Sequence, residues 1–168
     1  MKAINLIRWA MEFTGKGTEA IVADMRDAAL TPSTPGAAGG DGNHTLWLLG
    51  HLTFIEGGIP HILLGEPHPV AHWAHLFATG TKPLPDATAY PPFDEVLARY
   101  RELRARNLRL LSEVGEGGLD RLPKQVPPGF EDAMKTFGHT FLLVTLHNMV
   151  HYGQITDARR AAGRKPLV

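Results

Sequence analysis

Three stretches rich in proline and glycine divide the chain into four segments, and none of these segments alternates apolar and polar residues as a strand would. The stretches are residues 31–42, 79–92 and 115–129, the first of which is predicted to be a flexible connection. Proline and glycine stop helices, and apolar residues that recur every three or four positions favour them. The sequence therefore predicts an all-α four-helix bundle that forms one domain over residues 1–168.

The first two helices have weakly marked ends. The first is predicted over residues 2–30, where Gly15 and Gly17 each cost about 1 kcal/mol relative to alanine. The second is nearly all apolar, as a buried helix would be, and Asn43 is its predicted N-cap. Pro60, which follows two glycines, is predicted to kink or restart this helix, because proline cannot donate a backbone hydrogen bond.

The last two helices are marked more clearly. Residues 93–114 place apolar side chains on one side and arginines on the other, as an amphipathic helix does. Asn107 interrupts this apolar side, so its buried amide is predicted to form a hydrogen bond across the bundle. The fourth helix is predicted to begin near Glu131 and to end near Gly163, a natural C-terminal cap.

Composition removes several classes of partner and of site. Seventeen Lys and Arg balance seventeen Asp and Glu, so charge favours neither nucleic acid nor a membrane surface. No apolar run reaches the roughly 20 residues of a membrane span, and a cytoplasmic protein is expected. The chain has no cysteine, which excludes disulfides and thiolate ligands, so any metal must be bound by His, Asp or Glu.

Nine histidines are the one excess in this composition. His147 and His151 lie four residues apart in the last predicted helix, so both imidazoles can face one ion. Catalytic zinc sites typically use three protein ligands, and His51, in the middle of an apolar helix, is the best candidate for the third. His44 lies near the same helix face and is predicted at the mouth of the site. From spacing alone, paired core histidines that bind no metal explain the pattern equally well.

A second histidine cluster is a less favoured alternative, because it lies in a short segment between prolines. Its members are His68, His72 and His75. The two remaining histidines, His61 and His139, are interpreted as structural. Position 148, which is Glu in HExxH proteases and serves as their general base, is Asn here, so peptide hydrolysis is disfavoured.

Several motifs together resemble one family. In order along the chain they are WLLGHL, LLGEP, HWAHLFATG, YPPFDEVLARYRELR and HNMVHYGQITDARRAAGRKP, and they resemble the DinB-like superfamily of DinB/YfiT-type metal-dependent proteins over nearly the whole chain. The resemblance implies a bundle of up-down-down-up connectivity, often a homodimer, with a divalent metal, commonly zinc or nickel. Its implied ligands are His51, His147 and His151.

The resemblance also implies a class of reaction. Relatives include transferases and isomerases that use mycothiol, bacillithiol or glutathione on small-molecule substrates. A thiol-dependent enzyme, in which Trp47, Phe54 and Ile55 form an apolar wall and Gln154 orients a ligand, is therefore the first hypothesis; hydrolysis is a further possibility. A non-catalytic metal-binding or stress-response protein is the alternative. The sequence assigns no catalytic residue.

Overall fold

The structure is a computed structural model that describes residues 1–34 and 42–165. Most of the predicted flexible connection of residues 31–42 lies outside the described residues. Within the described ranges the chain is helical and contains no β-strand, only a single antiparallel bridge between Pro32 and His44. The predicted all-α fold is thereby confirmed. No described helix is long and apolar enough to cross a membrane.

Four long helices and one short helix build the described fold. Their bounds are α1 Ala3–Asp24, α2 Thr45–Leu64, α3 Ala74–Phe77, α4 Phe93–Val114 and α5 Phe137–Ala161. α1 packs mainly on α5, and α2 lies against both α4 and α5. The third predicted helix, residues 93–114, coincides with the observed helix α4.

Side-chain contacts show how the long helices run relative to one another. Near its start α1 meets the end of α4, where the Ile4 amide donates to Glu116. Near its end, Asp24 accepts from Arg159 at the end of α5. α1 and α5 are therefore parallel to each other, and α4 is antiparallel to both. His51, in the first half of α2, lies beside His147 and His151 of α5, and the end of α2 packs near the start of α5. α2 is therefore antiparallel to α5. This arrangement is compatible with the predicted up-down-down-up order.

Three predicted helix ends differ from the structure, each because of a local hydrogen bond. α1 ends at Asp24 rather than near residue 30, because the Met25 amide bonds to Val22 and the chain tightens into a 3-10 turn. The N-cap of α2 is His44, not Asn43, since Nδ1 of His44 accepts from the Trp47 amide at 3.1 Å.

α5 begins at Phe137 rather than near Glu131, because the hydroxyl of Thr136 accepts from the His139 amide and caps the helix there. The opposite end agrees with the sequence. Gly163 has a φ of 74°, which is typical of a left-handed C-terminal cap, and the amides of Gly163 and Arg164 bond back to the carbonyls of Arg160 and Arg159.

Two buried features of α2 and α4 were not predicted. Pro60 lies inside α2 and does not end it, because the carbonyl of Glu56, which loses its helical donor at Pro60, accepts from Asn107 instead at 2.9 Å. Arg104 lies inside the core rather than on the solvent side with the other arginines, with only 4% of its surface exposed. It pairs with Glu56 and donates to the Met11 carbonyl at 2.7 Å, which offsets part of the cost of burying both charges.

Candidate metal centre

Two neighbouring helices bring three imidazoles together. His51 of α2 and His151 of α5 are buried, and His147 of α5 is half-buried. Nε2 of His147 lies 3.4 Å from Nε2 of His51 and 3.0 Å from Nε2 of His151. One ligand atom from each residue lies within 4.8 Å of the others. The three sequence-predicted ligands therefore form a single group that could hold a divalent metal ion.

The outer nitrogens of two of these rings are held by acceptors. Nδ1 of His51 donates to the carbonyl oxygen of Phe77 at 2.7 Å, and Nδ1 of His151 donates to Oε1 of Gln154 at 2.9 Å. Since both partners can only accept, both rings carry their proton on Nδ1 and turn the Nε2 lone pair toward the centre. This is the arrangement that metal-ligating histidines ordinarily have.

His147 differs from the other two in its surroundings. Its Nδ1 is buried and has no hydrogen-bond partner among the described residues. Its Nε2 faces the Nε2 lone pairs of His51 and His151. In the metal-free protein, a proton on Nε2 of His147 can therefore be donated to either of these two nitrogens. A divalent cation satisfies all three lone pairs at once, and the donor set therefore fits a metal.

Burial keeps these imidazoles neutral at physiological pH. Removal from water lowers the pKa of His51 to about 4 and that of His147 to about 4. Burial also lowers the pKa of His151, although its bond to Gln154 opposes the shift. Because a metal ligand must be the neutral imidazole, the folded protein presents all three in the required state near pH 7.

Gly50, directly before His51, makes room for the residue that orients it. A Cβ atom at position 50 would lie only 2.1 Å from Cε1 of the Phe77 ring. The missing side chain thus lets the buried ring of Phe77 pack on α2, and the Phe77 carbonyl then reaches His51. Sequence reasoning missed Phe77, because a backbone carbonyl leaves no side-chain signal. The glycine of the WLLGHL motif was the available clue.

The predicted apolar wall is present only in part. The indole of Trp47 stacks on the His51 ring, with centroids 5.0 Å apart and planes 5° apart. Its Nε1 donates to the Leu76 carbonyl at 3.0 Å. Phe54 stacks on His68 instead, and Ile55 packs with the core cluster at the other end of α2. Trp47 is therefore the wall residue in contact with the imidazoles.

The other two predicted pocket residues take different positions. Gln154 contacts the site directly through His151. His44 uses both ring nitrogens in the fold, since Nδ1 caps α2 and Nε2 donates to the Leu84 carbonyl at 2.9 Å. Whether His44, Trp47 and Gln154 line a ligand pocket stays a prediction.

The alternative cluster does not assemble. His72 and His75 are exposed around α3, while His68 donates to the Phe54 carbonyl at 3.1 Å. In the described part of the chain, His51, His147 and His151 are the one group of three or more potential ligands that converge. The remaining two histidines have structural contacts: His61 with the Glu66 carbonyl and His139 with Thr136.

Asn148, between the two ligands of α5, points away from them. Its Oδ1 accepts from the Thr18 hydroxyl at 2.6 Å, and its Nδ2 donates to the Tyr100 hydroxyl at 2.8 Å. Asn148 is fully buried, and these bonds join α5 to α1 and α4. Asn148 therefore connects helices within the bundle, although it occupies the sequence position at which a zincin protease carries its general base.

Comparison with known proteins agrees with this architecture. The family model of the DinB superfamily matches residues 10–155, a range that includes all three converging histidines. The chain belongs to the DinB superfamily. No curated protein matches the sequence.

Proposed function

We propose that this protein binds one divalent metal ion, zinc or nickel, through His51, His147 and His151. The observation that carries the proposal is the convergence of three Nε2 atoms, two of them on rings whose outer nitrogens are already held by acceptors. Metal centres built in helical bundles take their ligands from facing helices in this way. Burial of the donors also favours neutral imidazoles, which are the ligating form.

Metal analysis of protein purified without a histidine tag tests this proposal. One equivalent of metal per chain is expected for the wild type. His51→Ala, His147→Ala and His151→Ala should each lose most of it, while circular dichroism still shows a folded helical protein. Retention of a full equivalent by the double variant of His147 and His151 would overturn the proposal.

The proposed reaction is transfer or isomerisation with a low-molecular-weight thiol and a small electrophilic substrate. A divalent ion held by three neutral ligands keeps its full charge and supplies an acidic position for a water or a thiol. The indole of Trp47 shields His51 on one side, and Gln154 and the Phe77 carbonyl fix the ring orientations. In such a transfer the thiol sulfur bonds to the electrophilic carbon, its proton passes to solvent, and the leaving group departs with the bonding electron pair.

A non-catalytic metal-binding role is the second candidate, and one observation favours it. Among the described residues no carboxylate converges with the three histidines, and Asn148 is engaged in the core, so neither supplies an acid or a base to the centre. A screen of mycothiol, bacillithiol and glutathione with generic electrophiles separates the two. Turnover that depends on metal and is lost in His147→Ala supports the enzyme, and bound metal without turnover supports the alternative.

A further inference from the structure

Asn43 shares the oxygen atom that holds His151 in its ligating form. Oε1 of Gln154 accepts from Nδ1 of His151 at 2.9 Å and from Nδ2 of Asn43 at 3.4 Å. The side-chain amide of glutamine presents an oxygen on one side and an NH2 group of similar size on the other. Gln154 therefore keeps the proton of His151 on Nδ1 only while its oxygen, and not its NH2 group, faces the ring.

The backbone around Asn43 is held in place on both sides. Its carbonyl oxygen accepts from the Ser33 amide at 3.1 Å, and the next residue, His44, caps α2. Gly42 allows this close approach, since a Cβ at that position would lie 2.6 Å from the Ser33 carbonyl oxygen. The side chain of Asn43 thus reaches Gln154 from a fixed backbone position.

A second hydrogen bond attaches the same segment to α5. The Thr34 amide donates to Oδ2 of Asp157, three residues after Gln154. This bond also lowers the pKa of the Asp157 carboxyl, so the carboxylate that accepts it is charged at neutral pH. The two attachments keep the segment that contains Asn43 against the turn of α5 that contains Gln154.

We propose that Asn43 is a positioning residue for the candidate metal centre, acting through the orientation of the Gln154 amide; this inference rests on the proposed metal binding. If the amide turned over, its NH2 group would face the NH2 group of Asn43, donor against donor. It would also donate to Nδ1 of His151, whose proton would then lie on Nε2. That nitrogen would no longer bind a metal, because ligation needs its lone pair. The donor on Asn43 disfavours this inactive arrangement.

Asn43→Asp separates positioning from simple electrostatics. A carboxylate has the shape of the amide but only accepts, so it attracts the NH2 group of Gln154 and turns the amide over. Coulomb attraction alone would raise the zinc affinity of this variant, whereas the positioning role predicts a loss of about 10-fold. Gly153→Asp is the matched control, because it adds a carboxylate to the same turn of α5 with nothing within 4 Å of its Cβ. Its affinity should equal or exceed that of wild type.

Glutamate at position 154 should remove the need for Asn43, because a carboxylate has two oxygens and accepts from His151 in either orientation. Asn43→Ala should lower zinc affinity by about three- to tenfold in the wild type, but by less than about twofold in Gln154→Glu. Competition with a chromogenic chelator measures both. Equal losses in the two backgrounds would overturn the proposal, and this comparison remains decisive if Asn43→Asp does not fold.

NMR of the metal-free, nitrogen-labelled protein at about pH 7 tests the inference without relying on metal uptake. Long-range proton-nitrogen correlations show which ring nitrogen carries the proton, and His151→Ala assigns the signal. The proton of His151 should lie on Nδ1 in wild type and on Nε2 in Asn43→Asp. An unchanged tautomer in Asn43→Asp would overturn the role of Asn43 even if zinc binds. The expected change of tautomer in a protein that takes up no metal would instead overturn the proposed function alone.

Discussion

Gln154 accepts a hydrogen bond from Nδ1 of His151 through its side-chain carbonyl oxygen, at 2.9 Å. One turn of α5 separates the two residues, so the helix itself sets their geometry. The bond fixes the tautomer of His151 and directs its Nε2 toward His51 and His147. Gln154 is in this sense a positioning residue for the candidate metal centre.

Removing this acceptor should weaken metal binding without unfolding the protein. For Gln154→Ala we expect an affinity loss of about 10- to 100-fold, the usual effect of losing an outer partner of a ligating histidine. Competition with a chromogenic chelator measures it. Gln154→Glu keeps an acceptor at the same distance and should recover most of the affinity. Equal affinities for Gln154→Ala and wild type would show that His151 does not depend on this bond.

The two histidine clusters should differ in metal content. His72→Ala combined with His75→Ala should leave the stoichiometry unchanged, since both side chains are exposed around α3. His147→Ala combined with His151→Ala should abolish it. Elemental analysis of tag-free protein gives the comparison. Loss of metal in the first double variant would show that the site had been assigned to the wrong cluster.

Acidification should destabilise the metal-free protein before it affects metal binding by the folded state. The unfolded chain protonates its histidines near pH 6.5, but burial holds the pKa of His51 and His147 at about 4. Between these values the unfolded state binds more protons, so the free energy of unfolding falls as pH decreases from about 6.5 toward about 4. Chelator-treated protein should therefore show a melting temperature that declines over this window.

Metal affinity of the folded protein should, by contrast, change little from about pH 8 to about pH 5, because the pKa values of His51 and His147 are about 4 and burial also lowers the pKa of His151. Calorimetric titration with zinc across this range measures it. A steep loss of affinity starting at about pH 6.5 would mean that the three imidazoles retain the pKa of solvated histidine.

Gly50→Ala should destabilise the fold and disturb His51. The added methyl would meet the Phe77 ring, and overpacking of this kind costs about 1–3 kcal/mol. Chemical denaturation measures the stability, and metal titration measures the effect on His51. Gly153→Ala is the matched control on α5: nothing lies within 4 Å of a Cβ there, so this helical change should be neutral or stabilising by up to about 1 kcal/mol.

Asn107 and Pro60 should be energetically coupled. Asn107→Leu leaves the buried Glu56 carbonyl without a donor, for an expected loss of about 1–3 kcal/mol in the free energy of unfolding. With Pro60→Ala the new amide at position 60 can bond to Glu56, so the same Asn107 change should cost less. A double-mutant cycle by denaturant unfolding measures the difference. Additive effects would show that Asn107 does not replace the donor missing at Pro60.

The sequence by itself determined the helical class and the extent of α4, and it nominated the three histidines that converge in the structure. The helices follow from local periodicity, since apolar residues every three or four positions define a helix, and four-residue spacing puts His147 beside His151. His51 was nominated because an imidazole in the middle of an apolar helix needs a partner. The buried hydrogen bond of Asn107 was also predicted, because a polar residue on an apolar side needs a partner wherever that partner lies.

Tertiary structure decided what those residues contact and how they titrate. The Asn107 amide is far from Pro60 in sequence, yet it allows α2 to continue through the proline. The Phe77 carbonyl orients His51 across 26 residues. Burial moves the pKa of His51 from its ordinary value to about 4, since desolvation depends on everything packed around a group. Local sequence patterns carry no information on such contacts, because they form only when distant segments pack together.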